Sequence, residues 1–82
     1  MIYAIKHPYE PLCKVGFTCD VARRMREYAS HGLVVKPFKV VQGGRAEEKR
    51  VHWLLGDAYE GGEWFCCSRE AVSLAMENVV WQ

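Results

Sequence analysis

Eighty-two residues, of which half are hydrophobic and 26% are charged, have the composition of one small soluble globular domain. This length leaves no room for a catalytic domain and a separate recognition domain, and no apolar run approaches the roughly 18 residues of a membrane span. We therefore expect a single domain over residues 1–82 that makes no membrane contact. Residues 1–6 lack the features of a signal peptide, so a cytoplasmic location is expected.

The net charge of +1 at pH 7 hides an uneven distribution. Residues 1–40 carry seven lysines and arginines against three acids, whereas residues 41–82 carry four against seven. A basic half on a nearly neutral chain predicts a local anion-binding patch rather than a general attraction to polyanions.

The first part of the chain predicts a hairpin followed by a helix. Residues 2–6 (IYAIK) and 12–17 (LCKVGF) have the apolar and β-branched content of strands, and two prolines mark a turn at residues 7–11. Asp20 can cap a helix over residues 21–30, which a glycine follows.

The second part predicts one more strand and two helices. Residues 34–41 predict a strand with Pro37 near an edge, and helices are expected at about 45–56 and 69–78. A short extended piece is expected at residues 63–66. The order predicts an α/β (α+β) fold with a small, mostly antiparallel three-stranded sheet flanked by helices. The helix residues expected to face the core are Val21, Ala22, Met25, Ala29, Val51, Leu54, Leu55, Ala71, Val72, Ala75 and Val79.

Two pairs of residues four apart border the predicted apolar faces of the helices. Arg24 and Tyr28 share one face of the first helix. A guanidinium there suits a phosphate, or it covers core surface with its aliphatic stem. In the second helix Glu48 precedes His52, and a carboxylate at this boundary could hold a divalent cation such as Mg²⁺. A local hydrogen bond within the Glu48–His52 pair is the alternative, which spacing alone favours.

Lys14 lies near the middle of the second predicted strand, although lysine is among the residues least often buried. Tyr3 lies on the first strand. A suitable register would bring the Tyr3 phenol and the Lys14 ammonium together beside Gly16, where glycine permits close approach. The alternative is a lysine that faces the solvent.

Four segments, IYAI…KVGFT, DVARRMREY, AEEKRVHWLL and GEWF, follow one another in this order. Together they resemble the GIY-YIG endonuclease superfamily, and in particular its small phage and bacterial branch, the T5orf172 or Mug113-like proteins. The likeness covers about residues 2–66. It implies the GIY-YIG nuclease fold and a stand-alone nuclease.

The resemblance also implies roles for single residues. Tyr3 matches the tyrosine of the first signature, and Lys14 stands where the second signature has its tyrosine. Arg24 matches the catalytic arginine, Tyr28 matches a position that holds Tyr or His, and Glu48 matches the metal-binding glutamate. These five are the expected catalytic residues.

The implied activity is metal-dependent hydrolysis of phosphodiester bonds in DNA, by an endonuclease or nickase. Glu48 would hold Mg²⁺ or Mn²⁺, with His52 as an accessory, while Arg24 would neutralise charge in the transition state. Tyr3 would accept the proton of the attacking water if a cation such as Lys14 favours its phenolate. Residues expected to bind nucleic acid are Arg23, Arg26, Lys36 and Lys39.

An alternative interpretation is a non-catalytic binding module on the same fold, which blocks or recruits a protein or nucleic-acid partner. The basic patch is small, so affinity for DNA should be weak and dependent on salt. Specificity is then expected to come from a protein partner, or from a homodimer formed through residues 79–81. Trp64 and Phe65 are interpreted as closing the core.

Overall fold

The computed structural model of the chain describes residues 1–62 and 64–80. Five strands and three helices, with a short 3₁₀ turn at Gly56–Ala58, make up the described part. Their bounds are β1 Ile2–Lys6, β2 Cys13–Phe17, α1 Val21–Ser30, β3 Pro37–Val41, α2 Arg45–Leu54, β4 Tyr59–Gly61, β5 Trp64–Phe65 and α3 Arg69–Val80. None of the helices in these ranges is long and apolar enough to cross a bilayer.

All strand pairs in the described sheet are antiparallel, in the order β3-β1-β2-β5-β4. The α+β class and the antiparallel sheet are thus confirmed, but the prediction of three strands is wrong. The two additional strands contain only three and two residues, too few to produce an alternating pattern in the sequence. Gly61, the last residue of the first of these strands, and Gly62, which follows it, both have positive φ. Glu63, the first residue of the extended piece expected at 63–66, lies outside the described residues.

The two sides of the sheet carry different residues and pack against different helices. Residues opposite each other on antiparallel strands point to the same side. The pairs Tyr3–Gly16 and Lys14–Trp64 therefore define one side, which we call the tyrosine face. The other side, which we call the helix face, carries the alternate residues and packs against α2 and α3.

The main core lies on the helix face. It contains buried residues of β1, β2, β5, α2 and α3, namely Ile2, Ala4, Cys13, Val15, Val51, Leu55, Phe65, Val72, Ala75, Met76 and Val79. The predictions for Leu54 and Ala71 are wrong, because Leu54 is 48% exposed and Ala71 is exposed. In α3 the buried stripe follows Val72, so one step back along the helix turns Ala71 by about 100° away from the core. Of the residues expected to form a dimer surface, Val79 is buried, and Trp81 lies outside the described residues.

Helix α1 packs on the tyrosine face and contains no buried residue. Its N-cap is confirmed, since the Asp20 carboxylate accepts a hydrogen bond from the Arg23 backbone at 3.0 Å. The predicted stripe is wrong in part, because Ala22 and Ala29 are exposed. The half-buried residues of α1 are Val21, Arg24, Met25 and Tyr28, which share one helical face. Two polar residues therefore replace two alanines on the side that meets the sheet.

Candidate functional site

Tyr3 is the buried centre of the tyrosine face. It lies in the middle of β1 directly opposite Gly16 on β2, and its side chain is fully buried. A Cβ atom at position 16 would lie 2.4 Å from Tyr3 Oη and 2.6 Å from Cζ. The phenol ring therefore occupies the space that any other residue at position 16 would fill.

Tyr28 joins α1 to the sheet through this phenol. The two hydroxyl oxygens of Tyr3 and Tyr28 are 2.6 Å apart, and their rings meet edge to face at 6.3 Å. Either hydroxyl can donate this hydrogen bond, while the other accepts it. Because only one of the two hydroxyl groups donates this bond, the proton of the other can be donated to a different acceptor.

Lys14 lies beside the tyrosine pair and between two aromatic rings. Its Nζ is 5.4 Å from the ring centroid of Tyr28 and 5.5 Å from that of Trp64. Both distances are typical of cation–π interactions. Trp64 is half-buried on the tyrosine face, so the prediction that it closes the core is wrong, whereas Phe65 does so.

Arg24 adds a second positive charge to this cluster. Its Nε is 3.2 Å from a Glu27 carboxylate oxygen, without the alignment of a hydrogen bond, and has no other acceptor among the described residues. Burial disfavours the charged guanidinium, but Tyr3, Tyr28 and Glu27 outweigh it and raise the pKa of Arg24. The side chain therefore keeps its charge beside the two phenols.

Burial raises the pKa of Tyr3 well above its ordinary value, and the hydrogen bond with Tyr28 raises it further. The charge of Arg24 opposes this shift only in part. Tyr3 is therefore a neutral phenol near pH 7. The expectation that neighbouring cations make its phenolate readily available at that pH is not met in the free protein.

The raised pKa of Tyr3 predicts a loss of stability in alkali. An unfolded tyrosine releases its proton near pH ~10, whereas folded Tyr3 retains it to higher pH. The contribution of Tyr3 to the free energy of unfolding is complete below pH ~10 and falls by up to about 1.4 kcal/mol per pH unit above that value. Urea unfolding from pH 8 to 11 should show this fall in the wild type but a weaker one in Tyr3→Phe. Tyr9→Phe, which changes an exposed tyrosine, should keep the wild-type slope, and equal slopes in all three proteins would contradict the prediction.

Glu48 lies on α2, beside an open edge of the sheet. Strand β5 pairs with β2 only at Cys13 and Lys14, so in the described sheet it leaves Val15 to Phe17 without a neighbour on that side. Helix α2 crosses there, with the His52 ring donating from Nε2 to the Val15 carbonyl at 2.8 Å. Glu48 is one turn away along the same helix face and is 7% exposed.

The His52 bond excludes one of the two alternatives for the Glu48–His52 pair, the local hydrogen bond. A carbonyl oxygen can only accept, so His52 Nε2 carries the proton and is occupied. No hydrogen bond between His52 and the Glu48 carboxylate occurs in the described part of the chain. The spacing of four residues therefore places Glu48 and His52 on one face of α2 without a hydrogen bond between them.

The donor set near Glu48 is compatible with a hard cation but does not form a complete cage. Across residues 1–62 and 64–80, no three His, Cys, Asp or Glu side chains converge as a metal site would require. Mg²⁺ is usually bound by one or two carboxylates together with water and substrate phosphates. A single carboxylate at an open sheet edge therefore fits Mg²⁺ or Mn²⁺ only when substrate and water complete its coordination.

The basic residues expected to bind nucleic acid do not form one surface. Arg23 and Arg26 are exposed on α1, and Lys36 is exposed before β3. Lys39 pairs across the sheet with Ala4, which places it on the helix face, and its Nζ lies 2.8 Å from a Glu77 carboxylate oxygen on α3. Its role in binding nucleic acid stays a prediction. Lys39 would have to act from the side of the sheet opposite Tyr3.

Four of the five residues expected to be catalytic meet on the tyrosine face: Tyr3, Lys14, Arg24 and Tyr28. Glu48 has no hydrogen bond, ion pair or ring contact with them in the described residues. Their catalytic roles stay predictions. Trp64 is the contact that sequence reasoning missed, because only the strand register reveals that it lies directly opposite Lys14.

One of the comparisons with known proteins gives a match. The family model of the T5orf172 domain matches residues 1–80. Neither the curated proteins nor the solved structures contain a match to the chain.

Proposed function

Because the chain belongs to the T5orf172 domain family, which is nuclease-like, we propose that it is a metal-dependent DNA endonuclease or nickase of the GIY-YIG type. One observation carries this proposal. Buried Tyr3 and half-buried Tyr28, joined by a 2.6 Å hydrogen bond, lie beside both a lysine and an arginine on one face of the sheet. Two fixed cations next to polarised hydroxyl groups suit a phosphodiester and an attacking water.

Hydrolysis requires a water oxygen to attack phosphorus, a proton to leave that water, and the bond from phosphorus to the leaving oxygen to break. Tyr3 accepts the water proton in the proposed reaction as the phenolate, after its own phenolic proton has been released to solvent. The raised pKa of Tyr3 makes its phenolate scarce near pH 7 but also makes it a strong base. A bound phosphate would draw Tyr28 away as a donor, which removes one of the causes that raise this pKa.

Arg24 and Lys14 act on charge in this scheme. The guanidinium offers several donors in a plane, which suits the oxygens of a phosphate as negative charge develops. The ammonium of Lys14 orients the water or stabilises the Tyr3 phenolate. Both groups are held on the tyrosine face before substrate arrives, so little reorganisation is needed.

Glu48 would hold Mg²⁺ or Mn²⁺ at the open edge of β2, and the ion would polarise the phosphate and stabilise the leaving oxygen. The carboxylate is nearly buried, and no hydrogen bond to it occurs in the described residues. It is therefore available to a cation once substrate supplies further oxygen ligands. His52 fixes α2 against β2 and supports this position as a neighbour rather than as a ligand.

The experiment uses purified protein with supercoiled plasmid, single-stranded DNA and RNA, in Mg²⁺, Mn²⁺ or a chelator. Glu48→Gln removes the charge of the proposed metal ligand at almost constant volume. Glu70→Gln is the matched control, because it also lies in the first turn of a helix but is exposed. We expect cleavage in metal by the wild type and by Glu70→Gln, and none by Glu48→Gln or in chelator.

Two results would overturn the proposal. Cleavage at the wild-type rate by Glu48→Gln would remove the metal ligand from the mechanism. Binding of DNA without cleavage of any substrate would favour a non-catalytic binding module that recruits or blocks a partner. A dependence of cleavage on a second protein would instead support a partner that supplies specificity.

A further inference from the structure

We propose that Trp64 is a positioning residue, which together with Tyr28 holds the Lys14 ammonium beside the tyrosine pair. This inference rests on the proposed function and assigns a task to a residue outside the expected catalytic set. Trp64 and Lys14 are directly opposite each other on β5 and β2. Their side chains thus project from the same face of the sheet at the closest cross-strand distance.

The Lys14 ammonium contacts two aromatic rings, one from α1 and one from β5. Lys14 Nζ lies 5.4 Å from the Tyr28 centroid and 5.5 Å from the Trp64 centroid. Lysine has a flexible stem and about 2 kcal/mol of rotamer entropy, so each ring that contacts its ammonium reduces the number of positions it can take. Contact with both rings keeps the ammonium beside Tyr28, whose hydroxyl is hydrogen-bonded to that of Tyr3.

Trp64 is itself held by a residue of the turn after β1. The His7 ring meets the Trp64 ring edge to face at 5.3 Å. His7 Nδ1 in turn accepts hydrogen bonds from the backbone nitrogens of Tyr9 and Glu10, both at 3.1 Å. This contact matters because β5 contains only two residues and gives the Trp64 side chain little backbone support.

The arrangement separates the tasks of the two aromatic residues. Tyr28 has both a ring for Lys14 and a hydroxyl for Tyr3, so its replacement would disturb two contacts at once. Trp64 contributes only a ring to the contacts of the Lys14 ammonium, without a hydrogen bond to either phenol. Its replacement therefore tests the position of Lys14 alone, provided that the fold persists.

The test compares Trp64→Leu with Trp64→Phe, and uses Trp53→Leu as control. Trp53 is 80% exposed on α2, away from the tyrosine face. Thermal unfolding first establishes that each variant is folded. With the plasmid substrate, we expect Trp64→Leu to lower kcat about tenfold with KM almost unchanged, which corresponds to one cation–π contact. Trp64→Phe, which keeps a ring face, should recover most of the loss, and Trp53→Leu should match the wild type.

A second readout does not depend on cleavage. Protons on the Lys14 ε-methylene lie close to two ring faces, so their NMR signals should be shifted upfield in the wild type. Trp64→Leu should lose much of this shift, and Trp53→Leu should keep it. An unchanged shift in Trp64→Leu would show that Trp64 does not position Lys14. This result would overturn the inference even if the wild type cleaves nothing and the proposed nuclease activity itself fails.

The kinetic results separate positioning from other roles. Wild-type kcat in folded Trp64→Leu would overturn the proposal. A rise in KM with kcat unchanged would also overturn it, because that pattern indicates a ring that binds substrate uniformly rather than one that positions Lys14. Failure of Trp64→Phe to recover activity would do the same, since a ring at this position would then not be sufficient.

Discussion

Replacing Arg24 by lysine is expected to slow cleavage by roughly 10²- to 10³-fold, the loss typical of one preorganised group that stabilises transition-state charge. The substitution keeps the positive charge and a long aliphatic stem, so the half-buried surface of α1 remains covered. What it removes is the planar set of donors. A lysine at this position presents a compact charge that meets one phosphate oxygen at a time.

The surroundings of Arg24 explain why geometry should matter more than charge here. Tyr3, Tyr28 and Glu27 all stabilise the guanidinium, which raises the pKa of Arg24 although burial works in the opposite direction. Its Nε lies near the Glu27 carboxylate without a good hydrogen bond, which leaves this N–H group available for a ligand. Stability should change little, because exposed ion pairs at this spacing contribute only about 0.5 kcal/mol.

Arg69→Lys is the matched control, since Arg69 is exposed at the start of α3 and contacts no residue of the site. We expect it to cleave at the wild-type rate. Single-turnover cleavage at saturating DNA isolates the chemical step from binding. A defect of Arg24→Lys that disappears at saturating DNA would show that the guanidinium only binds substrate, and would contradict its role in the transition state.

The sequence predicts the elements whose side chains repeat over several turns or pleats. β1 and α1 have the expected bounds, and Asp20 caps α1 as expected. β3 begins at Pro37 instead of residue 34, since the segment before it does not pair with β1. Strand β4 escapes prediction because three residues produce no period. Strand β5 is predicted only as an extended piece, because its place in the sheet depends on pairing with β2. In α1 hydrophobicity alone predicts that Ala22 and Ala29 face the sheet, whereas Arg24 and Tyr28 do so in the structure.

The candidate site shows the same division between local and long-range information. A spacing of four residues is sufficient by itself to place Arg24 and Tyr28 on one helix face. The contact of Tyr3 with Tyr28 spans 25 residues and requires α1 to pack on the correct side of the sheet. The position of Trp64 depends on register, since a slip of one residue would move it to the other face. Residue types thus identify candidates, and topology decides which of them meet.

Gly16→Ala is expected to destabilise the protein by roughly 2–3 kcal/mol, the cost of forcing an additional carbon into a packed interior. The new Cβ would lie 2.4 Å from Tyr3 Oη and 2.6 Å from Cζ. The ring cannot withdraw, since Tyr3 is fully buried and its hydroxyl is bonded to Tyr28. A domain of this size should lose roughly 10 °C or more in Tm. Cleavage by the remaining folded protein should also fall, because relief of the contact must displace the Tyr3 hydroxyl.

Two comparisons separate the close approach from a general intolerance of alanine. Gly56→Ala adds the same methyl group where no atom lies within 4 Å and φ is negative, so its stability should change by less than about 0.5 kcal/mol. In a Tyr3→Leu background, which removes the ring, Gly16→Ala should cost much less than in the wild type. Chemical unfolding of the wild type, the three single variants and the double variant gives these free energies. Equal costs of Gly16→Ala in both backgrounds would mean that the backbone of β2, rather than the Tyr3 ring, requires glycine at this position.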